Sequence, residues 1–209
     1  MKKINFKSLI ITCVVCLLPI ILGIVFYNEL PDNVAIHFDI NNNPDNYFPK
    51  QIFVFAVPVF MTIIHAICCI MYDVVDENKE ANRKVNNMVK WLIPLITIVV
   101  YEITLLYALG KNIDIRKVVM ILLGIIFIVS GNYIPKTVGD VKLNFPRIKN
   151  EQVYKKVKRL FGYIFIIDGI LFIASILFNP IVSVCLVGIV IIQTIILGIY
   201  SIIKNRQEV

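Results

Sequence analysis

The sequence predicts an all-α integral membrane protein: six transmembrane helices, with a short extracytoplasmic cap after the first. Three observations lead there. Hydrophobic residues fill 58% of the 209 positions, well above the roughly 45–50% of soluble domains, and the mean hydropathy is +0.81. They gather into six windows, Ser8–Tyr27, Gln51–Tyr72, Trp91–Leu109, Val118–Ile134, Leu160–Phe178 and Pro180–Ile203. Each is close to the about 20 residues that cross a hydrocarbon core. The 21 Lys and Arg residues are also distributed unevenly between the windows.

That asymmetry sets the expected orientation, because short loops rich in Lys and Arg stay in the cytoplasm. Lys2, Lys3 and Lys7 precede the first window, and Lys79, Arg83, Lys84 and Lys90 separate the second from the third. Lys136, Lys142, Arg147, Lys149, Lys155, Lys156, Lys158 and Arg159 lie between the fourth and fifth, and Lys204 and Arg206 follow the last. The opposite side holds only Lys50, Lys111, Arg116 and Lys117. Both termini are therefore expected in the cytoplasm of a bacterial cell, with the whole chain, residues 1–209, as one membrane domain. The formal charge of +7 then reports topology and contact with anionic lipid, not direct nucleic-acid binding.

The first window follows three lysines, as a signal peptide would. Its apolar run is longer than a signal core and no small-residue cleavage site follows, so it is read as a retained helix. Pro19, Pro58 and Pro94 lie inside the first three windows and predict kinks. Gly124 with Gly131, Gly162 with Gly169, and Gly188 with Gly198 mark scattered points of close helix approach. Tyr27, Tyr47, Phe48, Tyr72, Trp91, Tyr133 and Tyr200 fall near window ends, as an interfacial belt requires.

Between the first two windows, residues 28–50 form the extracytoplasmic segment. Val34, Ile36, Phe38 and Ile40 alternate with Ala35, His37 and Asp39, the period of a half-buried strand. Asn41 to Asp45 reads as a turn. His37 and Asp39 are expected on the solvent face. The segment is either a structural cap or a ligand-facing edge whose unpaired backbone offers hydrogen bonds to an incoming peptide. Glu29, Asp32, Asp39 and Asp45 outnumber Lys50, so a cationic ligand is favoured, and His37 adds positive charge in acid.

The loop of residues 135–159 is assigned to the cytoplasm. It ends in a helix start, with Asn150 as cap, Glu151 at the positive end of the dipole, and Lys155, Lys156, Lys158 and Arg159 as a collar at the membrane surface.

Glu102 and Asp168 are the acids placed deep in apolar windows. Charge at the bilayer centre costs at least about 2.5 kcal/mol, so both are expected to face the interior at similar depth. They are either a proton or cation site, or protonated acids bonded to a hydroxyl such as Thr97 or Thr104. His65 with Cys68 and Cys69 supplies too few ligands for zinc. The five cysteines sit in apolar windows, where thiols behave as small hydrophobes. No phosphate loop, nucleophile elbow or metalloprotease motif occurs, so neither an enzyme nor a cofactor or metal is expected.

Leu30, Pro31, Asp32, Val34, His37, Phe38, Asp39, Pro44, Asp45, Tyr47 and Lys50 fit the outer segment of the SdpI-like membrane proteins, which this chain resembles. Ala35 and Asn43 stand where that family usually has Pro and Gly. Gly131-Asn132-Tyr133-Ile134-Pro135-Lys136 is similar to a second motif, and Glu151, Tyr154, Lys155 and Lys156 to a third. The box between them is shortened here to Val141–Pro146. The resemblance implies six helices and immunity against a secreted antimicrobial peptide. It also implies signalling in which the membrane protein holds a transcriptional repressor at the cytoplasmic face. The ligand-binding residues it implies are Pro31, Asp32, His37, Phe38, Asp39, Asp45, Tyr47 and Lys50. The alternative reading is a small proton- or ion-coupled transporter built on Glu102 and Asp168. Membrane lipid is a partner in either case.

Overall fold

The computed structural model describes residues 4–75, 81–137 and 151–207. Helix α1 (Phe6–Leu17) starts where the Asn5 side chain accepts the Ser8 amide at 3.1 Å. Pro19 has no N–H to continue the ladder, so the span resumes as α2 (Pro19–Val25). Next come strands β1 (Asn33–Phe38) and β2 (Pro44–Pro49), then a π-helical turn at Ile52–Ala56 leading into α3 (Val57–Val75). Pro58 explains that turn. It removes the donor to the Val54 carbonyl, and the wider ring is closed by the Val57 amide on Ile52. Helices α4 (Arg83–Ala108) and α5 (Ile115–Tyr133) follow, and Pro135 tightens the end of α5 into a 3₁₀ turn. The last two are α6 (Glu151–Ser175) and α7 (Pro180–Gln207).

Five described segments are long and apolar enough to cross a membrane: Phe6–Val25, Ile52–Val74, Arg83–Ala108, Ile115–Lys136 and Pro180–Tyr200. The sixth expected span is present as helix α6. It misses that mark because Lys158, Arg159 and Asp168 break its apolar run. Helix α4 starts eight residues before the expected window and so carries Lys84 and Lys90 as well as Trp91. Polarity is inverted relative to a soluble domain. Ile10, Ile63, Ile67, Ile191 and Ile195 are exposed, while Thr12, His65, Asp73, Lys90 and Asp168 are buried. A broad exposed apolar surface of this kind suits lipid.

The described helices fall into two compact units. The first holds α1 to α3, the strands, α4 from Asn86 and the start of α5. The Phe53 and Tyr101 rings stack at 4.6 Å in its core, beside Leu30, Val34, Val54 and Leu105. Gly23 has a required role there, since a Cβ would stand 2.0 Å from the Tyr101 hydroxyl. The second unit holds the rest of α5 with α6 and α7, around Tyr154, Val157, Phe161 and Leu197. Four of its glycines are paired across helices. Gly124 meets Gly169 and Gly131 meets Gly162, so two glycine pairs seven residues apart bring antiparallel α5 and α6 together. Gly188 and Gly198 touch nothing comparable.

Lys2, Lys3, Lys79, Val141–Pro146 and the Asn150 cap lie outside the described residues.

Candidate functional site

The segment after α2 is a built hairpin. The expected strand is there, but it has a partner: β1 pairs antiparallel with β2, from Asn33↔Pro49 to Phe38↔Pro44. Irregularities flank His37 and upset strict alternation, so Val34 and Ala35 are both buried while Ile40 is exposed. Ile36 and Phe38 face inward as expected. Ile36 joins the core, and Phe38 meets the Tyr107 ring edge-on at 4.7 Å.

Hydrogen bonds fix both ends of the hairpin. At the tip, the left-handed residue is Asn42 (φ 67°), one place before Asn43, and Asn is among the few residues that adopt that conformation readily. One Asp39 oxygen accepts the amides of Asn41 and Asn43, each at 2.8 Å, and the other accepts the Asn43 side chain at 3.1 Å. The backbone and side-chain bonds from Asn43 hold the Asp39 carboxyl below its ordinary pKa. The Asn42 side chain donates to the Ile113 carbonyl at 3.0 Å and accepts the Ile115 amide at 2.8 Å, tying the tip to the α4–α5 connection. At the base, Lys50 pairs with Asp32 at 3.0 Å and lies 5.3 Å from the centre of the Tyr27 ring.

This geometry divides the eight expected binding residues. Phe38, Asp39 and the Lys50–Asp32 pair hold the hairpin together. Pro31, Asp32, His37, Asp45 and Tyr47 are exposed. Across the strands, His37 Nδ1 lies 2.5 Å from Asp45 Oδ1, with both side chains about half exposed or more (66% and 49%). Below the hairpin is an apolar cleft of about 300 Å³, walled by Ile36 and Phe48 above and by Phe60, Met61, Val100 and Tyr101 from the helices.

The intramembrane acids part company. Asp168 is buried, and the Gln193 amide, turned so that its nitrogen faces the carboxylate, donates to both oxygens at 3.0 and 3.2 Å. Glu102 is exposed, against expectation. Thr97, Tyr101 and Leu105 occupy the buried face of α4, which turns residue 102 outward. Thr97 bonds its own helix at the Ile93 carbonyl, 2.8 Å away, not an acid. The transporter reading thus loses one of its two inward-facing acids.

Sequence reasoning missed a buried polar column at the end of the first unit away from the hairpin. His65 Nε2 lies 2.7 Å from the Thr12 hydroxyl and 3.4 Å from Cys69 Sγ. One turn beyond, Lys90 Nζ lies 2.8 Å from each Asp73 oxygen, and the Asn5 amide donates to Asp73 at 3.1 Å. The i, i+4, i+8 spacing of His65, Cys69 and Asp73 was the available signal. Asp73 and Lys90 sat at window ends, where charges ordinarily meet water.

In the second unit the Gly131-to-Lys136 motif is structural in part. Gly131 and Pro135 both pack on Gly162. Lys136 Nζ donates to Asn132 at 2.9 Å and lies 5.3 Å from the centre of the Tyr133 ring. Lys155 pairs with Glu151 at 2.7 Å, which lowers the Glu151 pKa, and Lys156 is exposed. Lys158 leaves the expected surface collar. It is buried under Tyr154 and donates to the carbonyl and hydroxyl of Thr137.

Residues 14–62, from α1 through the hairpin into α3, match a family described as a domain of unknown function, DUF1648. The chain is also 27% identical over 178 residues to the "Immunity protein SdpI" of Bacillus subtilis (strain 168), spanning 81% of this chain and 79% of that protein. The chain is thus similar to an immunity protein along most of its length. No solved structure matches it. The chain is a multi-pass membrane protein, and the DUF1648 match coincides with the hairpin and the helices that carry it.

Proposed function

We propose that the chain is a membrane immunity protein that recognises a secreted antimicrobial peptide at the hairpin, from outside the cell. The similarity to an immunity protein along 81% of the chain carries the reading. The geometry supports it. The hairpin is fixed at tip and base, so little ordering is left for binding to oppose. Its exposed Asp32, Asp45 and Tyr47 suit a cationic peptide with aromatic or apolar side chains. Each strand of a two-stranded sheet also keeps one edge on which a peptide backbone can pair.

In this reading the hairpin lies outside and both termini lie in the cytoplasm. Glu151, Lys155 and Lys156 then form the face offered to a transcriptional repressor, and the protein performs no catalysis. The test is survival of a peptide-sensitive strain, with and without this chain, in culture supernatant of the bacterium that encodes it. Protection only where the chain is present supports the reading. Equal killing would refute it.

A further inference from the structure

We propose that the junction between the start of α4 and the end of α5 is a binding site for the phosphate of an anionic phospholipid headgroup. A cavity of about 400 Å³ opens there, lined by Ala81, Arg83, Lys84, Val85, Tyr133 and Lys136. Three cationic side chains share it, and among the described residues no carboxylate pairs with any of them. Like charges around one cavity repel unless an anion lies between them.

The backbone adds to this field. Arg83, Lys84 and Val85 form the first turn of α4, where amides lack intrahelical acceptors and the dipole is positive. Lys136 is held in place. Asn132 accepts from its ammonium, the Tyr133 ring lies beneath it, and the neighbouring Pro135 is seated on Gly162. The Gly131-to-Lys136 motif thereby fixes one cation of the site, a role the hairpin reading leaves unassigned.

Position selects the lipid over a free anion. Arg83 is the first residue of one membrane-spanning segment and Lys136 the last of another, so the cavity lies level with headgroups. Arg83 supplies a planar fork for two phosphate oxygens, and the lysines act as point charges.

The test uses the full chain in nanodiscs and native mass spectrometry to count retained lipids. Phosphatidylglycerol should be retained over phosphatidylcholine, and R83Q/K84Q/K136Q should weaken that preference on the order of a hundredfold. K155Q/K156Q/R159Q, which removes as much charge from exposed positions on α6, should weaken it far less. Should the first triple variant fail to fold, Lys136→Gln must weaken retention and Lys136→Arg restore it. Inorganic phosphate that binds the chain while phosphatidylglycerol does not would overturn the lipid assignment. Equal retention of both lipids by the wild type would overturn the site. That result is the one expected if Asp76, Glu77 and Glu80, which precede Ala81 in sequence, already neutralise the cations.

Discussion

Removing either member of the Asp73–Lys90 pair should destabilise the first unit far more than removing both. The two side chains are 5% and 3% exposed, and both carboxylate oxygens lie 2.8 Å from the ammonium. Asp73→Asn leaves that ammonium buried without its counter-charge. Lys90→Met leaves the carboxylate with only the Asn5 amide as a described partner. Breaking a buried pair on one side costs about 3–5 kcal/mol, while replacing the whole pair by neutral groups is often close to harmless. The double variant keeps an oxygen for the Asn5 amide and should cost less than either single change. The assay is equilibrium unfolding of the purified full chain in mixed micelles, followed by helical circular dichroism. A coupling of about 2 kcal/mol or more is expected. Additivity within about 0.5 kcal/mol would refute the reasoning, because groups that add do not interact.

Other expectations follow from the same geometry. Gly131→Ala would place a Cβ 2.6 Å from the Gly162 carbonyl and 2.9 Å from the Ile166 amide, both backbone, so a loss of about 1–3 kcal/mol is expected. Gly188→Ala meets nothing within 4 Å and should be neutral or stabilising in the same unfolding assay. Asp39, whose pKa is lowered on folding, stabilises the hairpin tip above its unfolded pKa of about 3.9 and loses that effect as pH falls through the lower folded value. Protection of the Asn41 and Asn43 amides, as the exchange rate relative to an unstructured amide at the same pH, should therefore hold to about pH 4 and fall below it, whereas unchanged protection at pH 2 would contradict the bonding. A single cysteine at exposed Asn46 should react with an impermeant reagent on intact cells, and one at exposed Lys156 only after the cells are opened. The reverse pattern would overturn the orientation.

Composition revealed the spans because the bilayer imposes length and apolarity on each helix alone. It did not reveal which face of a helix is buried, since that depends on neighbours. Depth along the chain placed Glu102 and Asp168 alike, yet Tyr101 and Leu105 turn one outward while Gln193 holds the other. Strand β1 showed in its alternation. Strand β2 did not, because Pro44-Asp45-Asn46-Tyr47-Phe48-Pro49 carries turn residues that only an edge strand tolerates. The Asn42 clamp joins residues more than 70 apart, and the Asp73–Lys90 pair spans a helix junction. Neither leaves a local pattern to read.

The central claim is that the hairpin's exposed acidic face recognises the peptide. Asp39 and the Asp32–Lys50 pair hold the hairpin together, so the decisive substitution leaves them alone: Asp45→Asn. The measurement is survival of peptide-sensitive cells carrying the wild-type or Asp45→Asn chain in equal membrane amount, across a series of salt concentrations. The account predicts weaker protection by the variant, with the gap widest at low salt, where long-range attraction is least screened. Identical protection at every salt concentration would contradict it and move recognition away from Asp45.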